Sequence, residues 1–106
     1  MALIDNLEAL LARGPDTALL RYGLGAEYAK QNQHARAVVH LQRAVALDPG
    51  YSAAWKLLGQ SLAASGAADA ARHAYTEGMR AAEAKGDKQA AKEMAVFLKR
   101  LQRPPQ

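Results

Sequence analysis

Cysteine is absent from this chain of 106 residues. Neither disulfides nor thiol chemistry therefore hold it together or do work in it. That absence is compatible with a reducing cytoplasm, which is the expected location. Aromatic residues make up only 6% of the sequence, and β-branched residues are few, so a sheet protein is disfavoured. No apolar run approaches the roughly 20 residues that span a bilayer as a helix. The start, Met1-Ala2-Leu3-Ile4-Asp5-Asn6-Leu7-Glu8, lacks basic residues and has acids inside its apolar stretch, unlike a secretory signal.

What remains is helix-forming material. Hydrophobic residues account for 50% of the chain, most of them Ala and Leu, the strongest helix formers. The length fits one domain, which buries roughly two-thirds of its surface on folding. The formal net charge is +4. The excess gathers at the end, where Lys85, Lys88, Lys92, Lys99, Arg100 and Arg103 are relieved only by Asp87 and Glu93. This stretch reads either as a solvated basic helix or as a surface for an acidic partner.

A period of 34 residues organises the sequence: Leu24-Gly25 recurs as Leu58-Gly59, Pro15 as Pro49, Ala37 as Ala71, and Leu7 as Leu41. A fixed period of this length means one small helical unit stacked on copies of itself. Apolar residues at helical spacing predict helices over Met1 to Arg13, from Asp16 or Thr17 to Gln31, and over His34 to Leu47. Three more are predicted over Tyr51 to Ser65, Ala68 to Lys85, and Asp87 to Gln102. Gly14-Pro15, Asn32-Gln33, Asp48-Pro49-Gly50, Gly66 and Gly86 punctuate them. Arg103-Pro104-Pro105-Gln106 cannot continue the last helix and is expected to be a disordered tail. Gly25 and Gly59 lie inside helices, where glycine costs about 1 kcal/mol relative to alanine. A cost repeated at one phase implies a close helix contact, with small Ala37 and Ala71 on the partner helices and large residues flanking.

Nothing assembles a catalytic, cofactor or metal site. His34, His40 and His73 lack the spacing of a His-Glu-x-x-His site and are expected on exposed helix faces. Ser52, Ser61 and Ser65 have no base nearby in sequence, and the remaining acids are scattered. Gly23-Leu24-Gly25 lies within a helix and lacks the lysine and serine of a phosphate loop. Trp55 is expected in the core. The basic residues are not interleaved with exposed aromatics, so nucleic acid is disfavoured as a partner.

Trp55-Lys56-Leu57-Leu58-Gly59 and Leu24-Gly25-Ala26-Glu27-Tyr28 resemble the first helix of the tetratricopeptide repeat. Ala37, Leu41, Ala44 and Pro49 complete one unit; Ala71, Tyr75 and Gly78 continue the other. The resemblance implies an all-α fold of about six helices, with antiparallel hairpins stacked as a short right-handed solenoid. It divides a single domain, residues 1–102, into a degenerate half repeat (1–15), two repeats (16–49 and 50–83) and a capping helix (87–102). Four departures stand out. Leu3 and Leu10 replace small residues in the first helix, Arg21 takes the tryptophan position, Leu62 replaces a tyrosine, and Glu83 replaces the terminal proline. The start of the second helix is accordingly expected to be less buried, and the fifth helix to run on by a turn.

The resemblance further implies a non-enzymatic adaptor that binds a peptide or helix on a concave face built from the first helix of each unit. The positions carried over are Leu19, Tyr22, Ala26 and Lys30 in the earlier unit, Lys56, Gln60 and Ala63 in the later one, and Gln89, Lys92 and Lys99 in the last helix. Ala29, Ala53, Ala64 and Val96 border them. Tyr22 is the one aromatic anchor, and every charge in the set is a lysine, which favours an acidic or C-terminal segment. The lysine and asparagine clamp of chaperone-binding members is absent, because Ala26 and Leu57 stand at the asparagine positions. The expected partner is a protein or peptide, with no small-molecule substrate, cofactor or membrane, and the chain is a monomer or weak dimer. An alternative is an assembly module that self-associates, or docks on a larger complex, through its terminal helices.

Overall fold

The structure, a computed structural model, describes residues 2–102. The tail expected at residues 103–106 lies outside them. Six helices and no strand occur among the described residues: α1 (Ala2–Arg13), α2 (Ala18–Lys30), α3 (His34–Leu47), α4 (Ser52–Ala64), α5 (Ala68–Ala84) and α6 (Lys88–Gln102). Each falls within a residue or two of its sequence expectation.

The helix ends explain this legibility. Thr17 caps α2, its hydroxyl accepting from the Leu20 amide at 3.1 Å. The other candidate cap, Asp16, is used elsewhere. Asp87 caps α6 by accepting from the Ala90 amide at 3.1 Å. Three helices close with one motif. The Gln33, Ala67 and Asp87 amides reach back to the carbonyls of Tyr28, Leu62 and Ala82, each at 2.9 Å. This closure needs a left-handed residue just past the helix. Gly66 (φ 84°) and Gly86 (φ 75°) supply it without strain, and Asn32 (φ 58°), at the same phase as Gly66, is the residue that tolerates it next best.

Glycine within the helices has a different purpose. A Cβ on Gly25 would lie 2.5 Å from Leu41 Cγ, and one on Gly59 would lie 2.4 Å from the Tyr75 ring. The paired helices α2/α3 and α4/α5 therefore meet where a side chain is missing. A third seam uses Gly78 of α5, where a Cβ would lie 2.4 Å from Met94 Sδ and 2.7 Å from Trp55 Cβ. Around these contacts Leu24, Ala37, Leu41, Ala44, Ala54, Ala71, Ala82 and Met94 are wholly buried.

Glu83 does let α5 run on. It has 17 residues where α3 has 14, a gain of 3. The connection to α6 (residues 85–87) is one residue shorter than that between α3 and α4 (residues 48–51). The difference, 3 − 1, starts α6 two residues later than the 34-residue period would place it.

The seam glycines make a paired expectation. Gly59→Ala gains helix propensity yet forces its methyl into the packed Tyr75 ring, and should lose about 1–3 kcal/mol by overpacking. Gly23→Ala, whose methyl would meet only Leu7 at 4.0 Å, should gain about 0.5–1 kcal/mol. Urea unfolding of both variants checks this; equal effects would contradict the seam geometry.

Candidate functional site

α2 touches α4, and α4 touches α6, whereas the backbones of α1, α3 and α5 stay apart from one another. A stack whose alternate helices are close on one side and splayed on the other must curve, with α2, α4 and α6 on the inside. Two side-chain contacts bridge this inner layer. Tyr22 of α2 packs on Tyr51, at the start of α4, with ring centroids 5.0 Å apart. Lys56 of α4 donates to Glu93 of α6 at 3.0 Å. The lysine lowers the Glu93 carboxyl, chiefly through this hydrogen bond. Burial, more than the neighbouring Tyr22 and Asp48, pushes the Tyr51 hydroxyl up.

The positions singled out from the sequence fall as follows. Leu19 is 73% exposed. Tyr22, Ala26 and Ala63 are half-buried, and Gln60, Gln89, Lys92 and Lys99 are exposed. Lys30 is exposed but paired with Glu27 at 3.0 Å. Two of the four lysines therefore already hold a carboxylate. Lys92 and Lys99 have no ion pair among the described residues, so the positive field gathers on α6.

A polar cluster between α1, α2 and α3 escaped the sequence reading. Arg21 stands where Trp55 stands one repeat later, and the start of α2 is less buried than that of α4, as expected: its first buried residue is Leu24, whereas α4 already buries Ala54. The Arg21 side chain itself is only 18% exposed. Its guanidinium donates to both carboxylate oxygens of Asp16, at 2.7 and 3.0 Å, and to His40 Nδ1 at 3.0 Å. Arg43 adds a second cation to Asp16 at 3.2 Å. His40 stacks on Tyr28, its ring centroid 5.5 Å away and nearly parallel, and its Nε2 lies 3.4 Å from Glu8. The expectation of exposed histidines thus fails for His40, whose side chain is 12% exposed. It also fails for His34, whose Nδ1 is buried without a partner. His73 is exposed, as expected, with its ring edge-on to Trp55. Only the long-range pairing of these positions across helices could have revealed the cluster, and periodicity carries no such signal.

Trp55 is half-buried and donates its indole N–H to the Pro49 carbonyl at 2.8 Å, a core-edge role. Among the described residues no cluster of His, Asp and Glu could hold a metal ion. No helix there is long and apolar enough to cross a membrane.

Antiparallel helix pairs stacked at a fixed period define a helical-repeat solenoid. The sequence profile of the tetratricopeptide repeat matches residues 28–92. A TPR repeat-containing protein of Pseudomonas aeruginosa is 52% identical over 101 residues, covering 95% of this chain and 96% of the relative. A solution structure of a Bordetella parapertussis protein is 46% identical, with a TM-score of 0.81 over 95% of this chain and 88% of the other. The crystal structure of the Sgt2 TPR domain from Aspergillus fumigatus, 25% identical, has a TM-score of 0.74 over 97% of this chain and 72% of that one. The chain belongs to the tetratricopeptide repeat family. Its members generally mediate protein–protein interaction and are typically non-catalytic.

The polar cluster makes stability depend on pH. The Arg21 hydrogen bonds hold the Asp16 carboxyl at about 2, against an ordinary 3.8, with Arg43 assisting. Burial lowers the His40 imidazole below 6.5, outweighing the pull of Glu8. Arg21 donates to His40 Nδ1, so folding favours the neutral ring. The His40 contribution is thus fully present above its unfolded pKa and is lost as pH falls through the lower folded value. Asp16 behaves likewise at the more acid end: its contribution is full above 3.8 and is lost as pH falls towards 2. Thermal melts should show Tm falling as pH drops from about 7 to about 5. His40→Phe, which keeps a ring on Tyr28 but cannot titrate, should flatten that interval. An unchanged slope would exclude His40 as its source.

Proposed function

We propose that this protein is an adaptor with no enzymatic activity and no cofactor, and that it holds a protein segment on the surface made by α2, α4 and α6. The observation that carries this reading is the Tyr22–Tyr51 pair. It is a large, rigid apolar anchor, with exposed Leu19 and the small residue Ala26 one turn away on the same helix. Tyrosine offers much contact area at low entropy cost and is enriched at hot spots. The shallow floor suits an extended peptide or a single helix. The charge on α6 favours one with acidic groups, met by Lys92 and Lys99, while Lys56 serves chiefly to orient α6 through Glu93. Nucleic acid fits less well. The aromatic among the α6 cations, Phe97, is half-buried and sits between Arg100, 5.6 Å away, and Tyr75, 5.7 Å away. A cytoplasmic location belongs to the same proposal and rests on the lack of cysteine.

Panning a random-peptide library on the intact chain tests this. Selected peptides should carry an apolar residue flanked by acids. Tyr22→Ala should weaken their binding by on the order of 2 kcal/mol. Replacing Lys92 and Lys99 by Glu should reduce binding at low salt and flatten its salt dependence. His73→Ala, on the outer layer, should do nothing. Peptides that respond to His73→Ala but ignore the other three positions would refute the inner-layer site.

A further inference from the structure

The ion pairs among the described residues sort into three kinds. Lys30–Glu27, Arg72–Asp69 and Arg80–Glu77 each lie within one helix, three residues apart. Those of Arg21, Arg43 and His40 belong to the polar cluster. Lys56–Glu93, at 3.0 Å, is the one that joins two helices of the inner layer. Lys56 first, and then the Gln89 side chain one turn earlier on α6, hold the Glu93 carboxyl below its ordinary range, with partial burial and Asp87 opposing them. The packing of α6 does not need this bridge. Met94, wholly buried against Gly78, already seats α6 on α5. The pair is also open to water: the lysine side chain is 32% and the glutamate 41% exposed. A pair so exposed is weak and opens readily.

Glu93 occupies the place where a ligand's carboxylate would go. It is the one acid of α6, among Lys88, Lys92, Lys99 and Arg100. One turn away along α6 on either side stand Gln89, Ala90, Val96 and Phe97, so no cation of its own helix can take its charge. The lysine it holds lies in the first half of α4, the end that carries Tyr51. A surface whose field attracts acids thus keeps one of its own acids on its innermost lysine. What holds one carboxylate at 3.0 Å with a free-swinging ammonium can hold another in its place.

We propose that Glu93 is an internal competitor at the inner-layer site: an acidic side chain of the bound segment takes Lys56 from it, and Glu93 turns out to solvent. This rests on the reading of the inner layer as a binding surface. In the free chain the pair orients α6; on binding it is exchanged. Every segment must therefore open the internal pair before it gains Lys56, which discriminates against segments with a lone acid and favours those with a firm anchor or clustered acids. The test uses peptides panned on the intact chain and resynthesised with blocked ends, so that each of their acids is a side chain. Glu93→Gln should tighten their binding by about 2- to 5-fold, the range of an exposed pair. Glu77→Gln, an equal change of charge on α5, should leave it unchanged. In a Lys56→Met background Glu93→Gln should have no effect, because the contested lysine is gone. In the chain carrying isotope-labelled glutamate, at neutral pH, peptide should move the NMR signal of the Glu93 carboxyl towards its position in Lys56→Met. Binding that Glu93→Gln leaves unchanged or weakens, an equal gain from Glu77→Gln, or a Glu93 signal that stays in place overturns the proposal and leaves the binding surface standing. Peptides that ignore Tyr22→Ala, or a panning that yields none, remove the surface and the proposal with it.

Discussion

Everything in this fold hangs on places where a side chain is missing. At Gly25 and Gly59 the facing Leu41 and Tyr75 stand so close that even a methyl group would overlap them. At Gly78 the intruder is Met94. Dispersion falls off within an ångström of optimal contact, so a knob seated in a glycine gap fixes the spacing of two helices more tightly than a general apolar face can. Once the spacing is set, the large residues on either side of each gap have a defined space to fill, and Leu24, Leu41 and Met94 fill it completely. The helical cost of the glycines is the local expense of that fixed geometry. The third gap lies on the second helix of its unit and takes its knob from the following helix. It therefore fastens α6 to the array although Glu83 stands where the earlier unit has Pro49.

The N-terminal end is fastened by different means. Where the later repeat has Trp55, the earlier has Arg21, and a largely buried guanidinium is tolerable only with its donors occupied. Asp16, Arg43, His40, Glu8 and Tyr28 form the surrounding shell, drawing on α1, α2, α3 and the loop before α2. Such a network gives direction but adds little net stability. It orients α1, whose own apolar contacts are fewer, and its dependence on a neutral imidazole and an ionised carboxylate makes this the acid-sensitive end of the molecule.

The fold was legible because its determinants are local or periodic. Thr17 and Asp87 declare helix starts through their side chains, Asn32, Gly66 and Gly86 declare helix ends through their left-handed backbone, and the 34-residue recurrence of Leu-Gly and proline declares which helices pair. The effect of Glu83 on α5 follows from the same logic. The polar cluster was not legible, because Glu8, Arg21 and His40 are apart in sequence and meet only through packing. Each alone looks like an ordinary surface residue. The helices of the inner layer were legible, but not its electrostatics. Whether a lysine holds a carboxylate depends on side-chain reach between helices, and Lys56 finds Glu93 across the α4–α6 contact.

The scale of the inner layer bears on how it could work. One aromatic pair with small neighbours offers little buried area, and a short peptide must give up its own freedom to bind. On the proposed reading a single copy would hold such a segment weakly, and the α6 lysines would act over only about 8 Å at physiological salt. Affinity would then come from a partner that presents several acidic-apolar segments, since each rebinding event would occur at high effective concentration.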